Sequence, residues 1–237
     1  MKIALIGYGK MGKAIEQIAL ERNHEIVARI GAEWTSTDYE GLKSADVAIE
    51  FSVPAVAVEN IYKCFDANVP VVVGTTGWYD AFDSVSEKCA TQKAGLFYAT
   101  NFSVGVNLFF ELNKQLAKLM NNQPDYDVTM EEIHHIHKLD APSGTAITLA
   151  EGSLGILNRK ESWVKENASA PTELAIASKR IDEVPGTHSI TYESNIDQIT
   201  ITHEAKSRKG FAQGAVIAAE WIKDKVGVFT MTDLLSL

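Results

Sequence analysis

Three of the six histidines of this chain crowd into Glu131-Glu132-Ile133-His134-His135-Ile136-His137-Lys138, followed by Leu139-Asp140-Ala141-Pro142-Ser143-Gly144-Thr145-Ala146. Imidazole and ammonium groups at this density carry protons, bind anions or ligate metal. A zinc set of His134, His135 and His137 conflicts with strand geometry. Successive strand residues point to opposite faces, so His135 and His137 share one face while His134 points with Glu132. A polar strand end whose histidines cap carbonyls is the plainest alternative. The third reading is acid–base: His134 and Lys138 fall on one face if the strand persists, with Glu132 beside His134. Acid–base chemistry accounts for these residue types best, and no metal is expected. The second half of the segment turns through Pro142 into a helix, with Ser143 or Asp140 as its cap. The amides of Ser143, Gly144 and Thr145 then face outward at a positive helix end, which suits a carboxylate.

The second constellation is Gly7-Tyr8-Gly9-Lys10-Met11-Gly12, a G-x-G-x-x-G run ending an apolar strand and opening a helix. In that context Gly7 permits the turn, Gly9 admits a pyrophosphate and Gly12 lets helix and strand pack closely. The acidic residue that ends the second strand in such sites is displaced. The stretch reads Val27-Ala28-Arg29-Ile30-Gly31-Ala32-Glu33, so Glu33 is the candidate for the adenine ribose and Arg29 could meet a 2′-phosphate. The cofactor is therefore NADH or NADPH. Gly74-Thr75-Thr76-Gly77 and Ala99-Thr100-Asn101-Phe102 follow two further strands, and loops at those ends face a ligand in open α/β sheets.

These loops need a scaffold, and the periodicities supply one. Strands are expected at 2–7, 25–30, 46–51, 69–73 and 96–99, with helices at 11–21, 54–67 and 79–92. This alternation means α/β architecture, a doubly wound parallel sheet of Rossmann type. After Asn101 the pattern changes: a helix at 106–120, a strand at 127–134, a helix at 144–157, then strands at 174–181, 188–193 and 196–203 without helices between them. These imply an α+β domain with an antiparallel or mixed sheet. The helix over 106–120 presents Leu108, Leu112, Gln115, Leu116 and Leu119 as its repeating stripe. Residues 158–172 read as a mobile surface connection, and 214–225 return to helix.

Length and composition bound the function. At 237 residues, the chain holds one large or two modest domains. A net charge of −9 argues against a phosphate-coating nucleic-acid binder. Cys64 and Cys89 show no metal or redox spacing and suit a reducing compartment. The longest uncharged run, 94–110, is too short and too polar to span a membrane, and no leader pattern precedes the first strand. A soluble, cytoplasmic protein is expected, with no membrane or nucleic-acid partner.

Taken together, these segments resemble the dihydrodipicolinate reductase (4-hydroxy-tetrahydrodipicolinate reductase) family of the bacterial diaminopimelate route to lysine. The resemblance spans the chain: Gly7 to Gly12, Phe51-Ser52, Gly74 to Gly77, Asn101 to Asn107, Glu132 to Ala146, Ile201-Thr202-His203 and Ser207 to Ala212. It implies reduction of a small cyclic dicarboxylate by NADH or NADPH, with His134 as general acid/base and Lys138 as proton donor. It implies substrate binding by His135, Ser143, Gly144 and Thr145. Cofactor contacts would come from Gly7, Tyr8, Gly9, Lys10, Met11, Gly12, Gly74, Thr75, Thr76, Ala99, Thr100, Asn101 and Phe102. Lys206 and Arg208 are weaker anion-binding candidates. The resemblance also implies a dinucleotide-binding domain, 1–103 with 211–237, and a substrate-binding domain, 104–210, that builds a homotetramer. The alternative is another Rossmann oxidoreductase acting on a small amino or keto acid. A semialdehyde dehydrogenase would need a nucleophilic cysteine, and neither cysteine lies near the histidines in sequence.

Overall fold

The computed structural model describes residues 1–207 and 209–237; Arg208, one of the weaker anion-binding candidates, lies outside the described residues. In chain order the elements are β1 (Lys2–Ile6), α1 (Lys10–Glu21), β2 (Glu25–Ile30), α2 (Ser36–Lys43), β3 (Val47–Glu50), α3 (Pro54–Asp66), β4 (Val71–Val73), α4 (Phe82–Thr91) and β5 (Gly95–Tyr98). They continue with α5 (Val104–Met120), β6 (Asp127–His134), α6 (Gly144–Leu154), β7 (Ser162–Lys165), β8 (Glu173–Arg180), β9 (Thr187–Glu193), β10 (Gln198–Glu204), α7 (Lys209–Ile222), β11 (Gly227–Phe229) and α8 (Met231–Leu235). The chain forms two compact units, Met1–Val104 with Lys209–Leu237, and Gly105–Arg208.

In the first unit six strands lie in the order β11-β5-β4-β3-β1-β2, every pair parallel. Side chains of β1 alternate between two cores. Ala4 and Ile6 join Leu42, Ile61 and Val85 on one face, while Ile3 and Leu5 join Ile15, Val216 and Ile222 on the other. Burial on both faces is why these strands read as unbroken apolar runs. The connection from β1 runs outward to β2, and the chain then returns to β3 on the other flank of β1. A sheet that reverses direction there opens a crevice beyond the strand ends. The sequence reading passed over α2, which is short and weakly amphipathic. Its start is nonetheless written locally, as a reciprocal cap between Thr35 and Asp38.

The second unit has the strand order β10-β9-β6-β8-β7, antiparallel on one side of β6 and parallel on the other. One face buries Val128, Met130, Leu174, Ile176, Ile190 and Tyr192 against α5 and α6. The opposite face carries cross-strand hydroxyl pairs, Ser189 with Thr202 and Thr191 with Thr200, each at 2.9 Å. Two expectations are corrected here. Residues 158–172 are not a mere surface connection: they contain β7, anchored by the buried Lys160. Its Nζ donates to the carbonyls of Pro171 and Glu173, at 2.9 and 2.7 Å, and pairs with Asp127 at 2.7 Å. A four-residue edge strand with polar ends leaves no apolar signal. Helix α5 buries Val106, Phe109, Asn113, Ala117 and Met120, while Leu108, Leu112 and Leu119 are exposed. Both faces of this helix are apolar, and of the repeating stripe Leu116 packs against the core. Among the described residues, no helix is long and apolar enough to cross a membrane.

Candidate active site

Strand β6 is the central strand of its sheet, and its last residues carry the chemistry. Glu132 pairs across to Ser178 on β8 and to His188 on β9; His134 pairs with Arg180. The inward period-two positions Glu132 and His134 are therefore flanked by a guanidinium from one neighbour and an imidazole from the other. Glu132 is completely buried. Both its carboxylate oxygens accept from the Ser143 amide, at 3.1 Å each. Arg180 reaches Oε1 at 3.4 Å, His134 Nδ1 lies 3.5 Å from Oε2 and His188 Nε2 lies 3.7 Å from Oε2. His134 and His188 meet edge to face, with ring centroids 5.1 Å apart.

Burial alone would raise the Glu132 pKa. The His188 imidazole, the Ser143 hydroxyl and amide, and Ser178 outweigh that effect and hold the carboxyl well below the usual carboxylate range. For His134, burial is the largest influence and pushes its pKa down to about 4. Glu132 opposes that shift, while His188, Lys138 and Arg180 reinforce it. The free site thus presents a neutral imidazole beside an ionised carboxylate. Gly186, at φ +156°, leaves the ring its space: a Cβ there would sit 3.1 Å from Nε2 of His134.

The strand ends at His134, and the chain then turns. The Lys138 amide donates to the His135 carbonyl at 3.1 Å, so His134 and Lys138 are near neighbours through a turn, and not through a continuing strand face. Lys138 Nζ is held by Asp140. Arg180 closes the loop from below, donating to the carbonyls of Lys138 at 3.2 Å and Asp140 at 2.6 Å. His135 is half-buried and His137 exposed, with His137 3.4 Å from Glu183. After a cis Ala141–Pro142 bond, Ser143 caps α6, its hydroxyl accepting from the Ala146 amide and bonded to His188 Nε2, both at 3.2 Å. A Cβ on Gly144 would meet nothing within 4 Å. Gly144, the first residue of α6, therefore borders open space.

Ligand atoms of Glu132, His134 and His188 lie within 4.8 Å of one another, a different trio from the one weighed in the sequence. Both carboxylate oxygens already accept the Ser143 amide, and the Arg180 guanidinium sits 3.4 Å away. A fixed positive charge at that distance opposes a second cation, and the cluster reads as a hydrogen-bonded assembly.

The glycine run behaves as its spacing suggests. Gly7 has φ +90°, and a Cβ there would strike the Phe51 carbonyl at 2.2 Å; one on Gly12 would strike the Gly7 carbonyl at 2.4 Å. Gly9 caps α1 without a side-chain acceptor and has nothing within 4 Å of a Cβ position, so unpaired helix N–H groups look onto open space. A cavity of about 400 Å³ lies there, lined in part by Gly7, Tyr8, Gly9, Gly31, Ala32 and Ser52. These residues follow β1, β2 and β3, and they fit an elongated anion such as a dinucleotide. Lys10 is exposed, and Met11 packs on the core.

Glu33 is exposed and is not among the residues lining that cavity. The Arg29 guanidinium is bonded to Glu16, which also accepts from the Tyr8 hydroxyl. Thr75 is buried, its hydroxyl accepting from the Ser52 amide at 2.8 Å, while Thr76 and Thr100 are exposed. Ala99 and Asn101 are half-buried, and the Asn101 side chain accepts the Ser103 amide at 2.9 Å. Gly74 lies against the Phe51 ring, and Phe102 is core, stacked near Phe51 and Phe97. Cys64 and Cys89 are both buried, and burial pushes both thiols up, so neither is a ready nucleophile.

Comparison with known proteins gives this geometry its family. The family model described as dihydrodipicolinate reductase, N-terminus, matches residues 1–102, and that of the C-terminus matches 105–235. This chain belongs to the dihydrodipicolinate reductase family. The 4-hydroxy-tetrahydrodipicolinate reductase of Christiangramia forsetii is 52% identical over 236 residues, covering 100% of this chain and 98% of that protein. The enzyme of the same name from Neisseria gonorrhoeae is 34% identical over 229 residues, 94% and 84% of the two chains. A dipicolinate-bound dihydrodipicolinate reductase from a Paenisporosarcina species shares the fold, with TM-score 0.79 at 21% identity over 98% of both chains. An amine dehydrogenase from Mycobacterium smegmatis shares it more loosely, with TM-score 0.60 at 11% identity over 98% and 95%.

Within this family member, sequence reasoning left two site residues unnamed, Arg180 and His188. Each lies more than forty residues from Glu132 in the chain, and only strand register brings them together.

Proposed function

We infer that this chain is an NAD(P)H-dependent 4-hydroxy-tetrahydrodipicolinate reductase of the diaminopimelate route to lysine. The observation that carries the reading at the level of residues is the cluster at the end of β6. A neutral imidazole ends β6, an ammonium lies in the following loop and a capped helix starts at Gly144, with Glu132 beside both His134 and the Ser143 amide. A cyclic dicarboxylate with a reducible C=N group needs those three things.

When bound, reduced nicotinamide supplies a hydride. The first-turn amides of α1 would hold the pyrophosphate, with Tyr8, Gly9, Lys10, Met11 and Gly12 framing the turn. The loops at Gly74-Thr75-Thr76 and Ala99-Thr100-Asn101-Phe102 would contact the same cofactor. One substrate carboxylate lies on the Gly144 and Thr145 amides, below which Ser143 fixes the helix end, and His135 contacts the same group. Lys138, with three N–H donors, meets the substrate and resupplies the one proton that His134 delivers. His134 is neutral in the free site. Two incoming carboxylates favour its charged form, so substrate binding itself prepares imidazolium as the acid for the ring atom that gains electron density. Glu33 is the side chain best placed by sequence to read the adenine ribose. Arg29, held by Glu16, is the one that would read a 2′-phosphate, and the chain is read as using either nucleotide.

The protein is further proposed to act in the cytoplasm as a homotetramer, the hydroxyl-rich open face of the second sheet supporting assembly through that domain. The test of the reaction is consumption of reduced nicotinamide absorbance with freshly made product of the preceding synthase, run separately with NADH and NADPH. No loss with either nucleotide would refute the assignment. Light scattering of the purified protein tests the tetramer.

A further inference from the structure

A single carboxylate underlies both halves of the substrate site. Glu132 receives the Ser143 amide on both oxygens, fixing the residue that caps α6 and therefore the amides proposed to hold a substrate carboxylate. The same carboxylate lies 3.5 Å from Nδ1 of His134, a buried nitrogen with no hydrogen-bond partner of its own. Through Arg180 it also restrains the loop carrying Lys138 and Asp140. His188 completes the clamp, bonded to the Ser143 hydroxyl and 3.7 Å from Glu132.

We propose that Glu132 is a positioning residue that couples the substrate-anchoring turn at Ser143–Thr145 to the proton chemistry of His134, with His188 as its second arm on that turn. The inference deepens the proposed function and rests on the roles given there to His134 and the α6 amides.

An ionised carboxylate 3.5 Å from Nδ1 favours the tautomer with its proton on that nitrogen, although no hydrogen bond is formed there in the free site. The groups acting on this imidazole are Glu132 on its own strand, Arg180 from β8, His188 from β9 and Lys138 from the loop. Glu132 alone among these four is negative, so it alone favours imidazolium. If the Ser143 turn shifts when a carboxylate docks on α6, the shift is felt by the group that sets His134.

Glu132→Gln keeps the shape and removes the charge. One of its two terminal atoms becomes a donor facing either the Ser143 amide or Nδ1–H. Loss of the correct tautomer and of its stabilised cation should lower kcat by about 10²–10⁴-fold. The loosened amides should raise the substrate KM about tenfold, the value of one hydrogen bond of about 1.4 kcal/mol. The alkaline limb of the kcat–pH profile should move to lower pH, because imidazolium has lost the one negative charge among these four groups. Affinity for NADH, read by fluorescence titration, should stay within about twofold, since no proposed nucleotide contact changes. Glu132→Asp should recover part of kcat. His188→Gln should raise KM and move the pH limb to higher pH, opposite to Glu132→Gln, because a group that disfavours imidazolium is removed.

Nitrogen NMR of the His134 ring, made without substrate or turnover, should show Nδ1–H in the wild type and a changed tautomer in Glu132→Gln. A Glu132→Gln enzyme with unshifted pH limb and unchanged tautomer would overturn the proposal, as would parallel collapse of NADH binding and melting temperature in both Glu132→Gln and Glu132→Asp. Normal turnover in His134→Gln would instead overturn the acid–base role on which the proposal rests, whatever the NMR shows of Glu132.

Discussion

Lys138 Nζ donates to both carboxylate oxygens of Asp140, at 2.8 Å each. The ammonium proposed to meet the substrate is thus already paired in the free protein. Asp140 is largely exposed, and exposed pairs contribute about 0–1 kcal/mol. A substrate carboxylate can displace it at a cost of no more than about fivefold in affinity. Asp140→Asn is therefore expected to lower the substrate KM by up to about fivefold, with kcat little changed. Steady-state kinetics decides it; a KM that rises instead would mean Asp140 holds Lys138 in place for the substrate.

The His134 imidazole titrates at about 4 in the free site. A dianionic substrate opposes that depression by favouring the charged ring. The group seen in kcat, which reports the substrate complex, should therefore titrate at higher pH than the one seen in kcat/KM, which reports the free enzyme. Identical values from the two profiles would remove the role given to the substrate's own charge.

Stability should depend on acidity in a stated direction. Unfolded His134 takes up a proton near its ordinary 6.5, while the folded ring resists until about 4. The unfolded chain binds more protons in that window, so the stability from burying a neutral ring is complete above about 6.5 and lost as pH falls toward 4. Glu132, held below the usual carboxylate range, adds a loss at still lower pH as it is forced to protonate. Melting temperature should fall between about pH 7 and pH 5, and fall less in His134→Gln. Equal slopes in the two proteins would show that this ring is not the sensor.

Two glycines of one motif should fail differently. Gly9→Ala places a Cβ in open space, whereas Gly12→Ala drives one into the Gly7 carbonyl. The first variant should melt as the wild type while losing dinucleotide affinity; the second should lose melting temperature as well. Calorimetry beside a binding titration separates them. Wild-type affinity in Gly9→Ala would exclude the pyrophosphate from the start of α1.

The Arg29 guanidinium is occupied by Glu16. Glu16→Gln should release it and lower the KM for NADPH relative to that for NADH, by a few-fold as expected for a surface charge contact. If the ratio is unchanged in paired assays, Arg29 does not read the 2′ position.

Much of this was legible in the residues. The glycine run, the buried parallel strands and the start of α6 at Ser143 are local signals, each fixed by a few adjacent positions. Glu132 and His134 also follow from period two along β6. Arg180 and His188 do not, because their place beside Glu132 depends on which strands flank β6 and in which register, and pairing partners leave no trace in a strand's own pattern. Helix α5 shows the complementary failure. Its two faces are both apolar, so burial was decided by the sheet it covers and by the buried Asn113, which bonds the Leu149 carbonyl and the Ser153 hydroxyl. The turn after His134 was also hidden, since nothing in His135-Ile136-His137 announces that the strand stops.

The first unit is assembled from both ends of the chain, with β11 added to the sheet along β5. A ribosome emitting this protein completes every residue of the second unit before residues 227–229 leave the tunnel. Until they do, β5 offers an unpaired edge to the cellular milieu. Nascent chains stalled short of that point should therefore be the most chaperone-dependent and the most prone to aggregate.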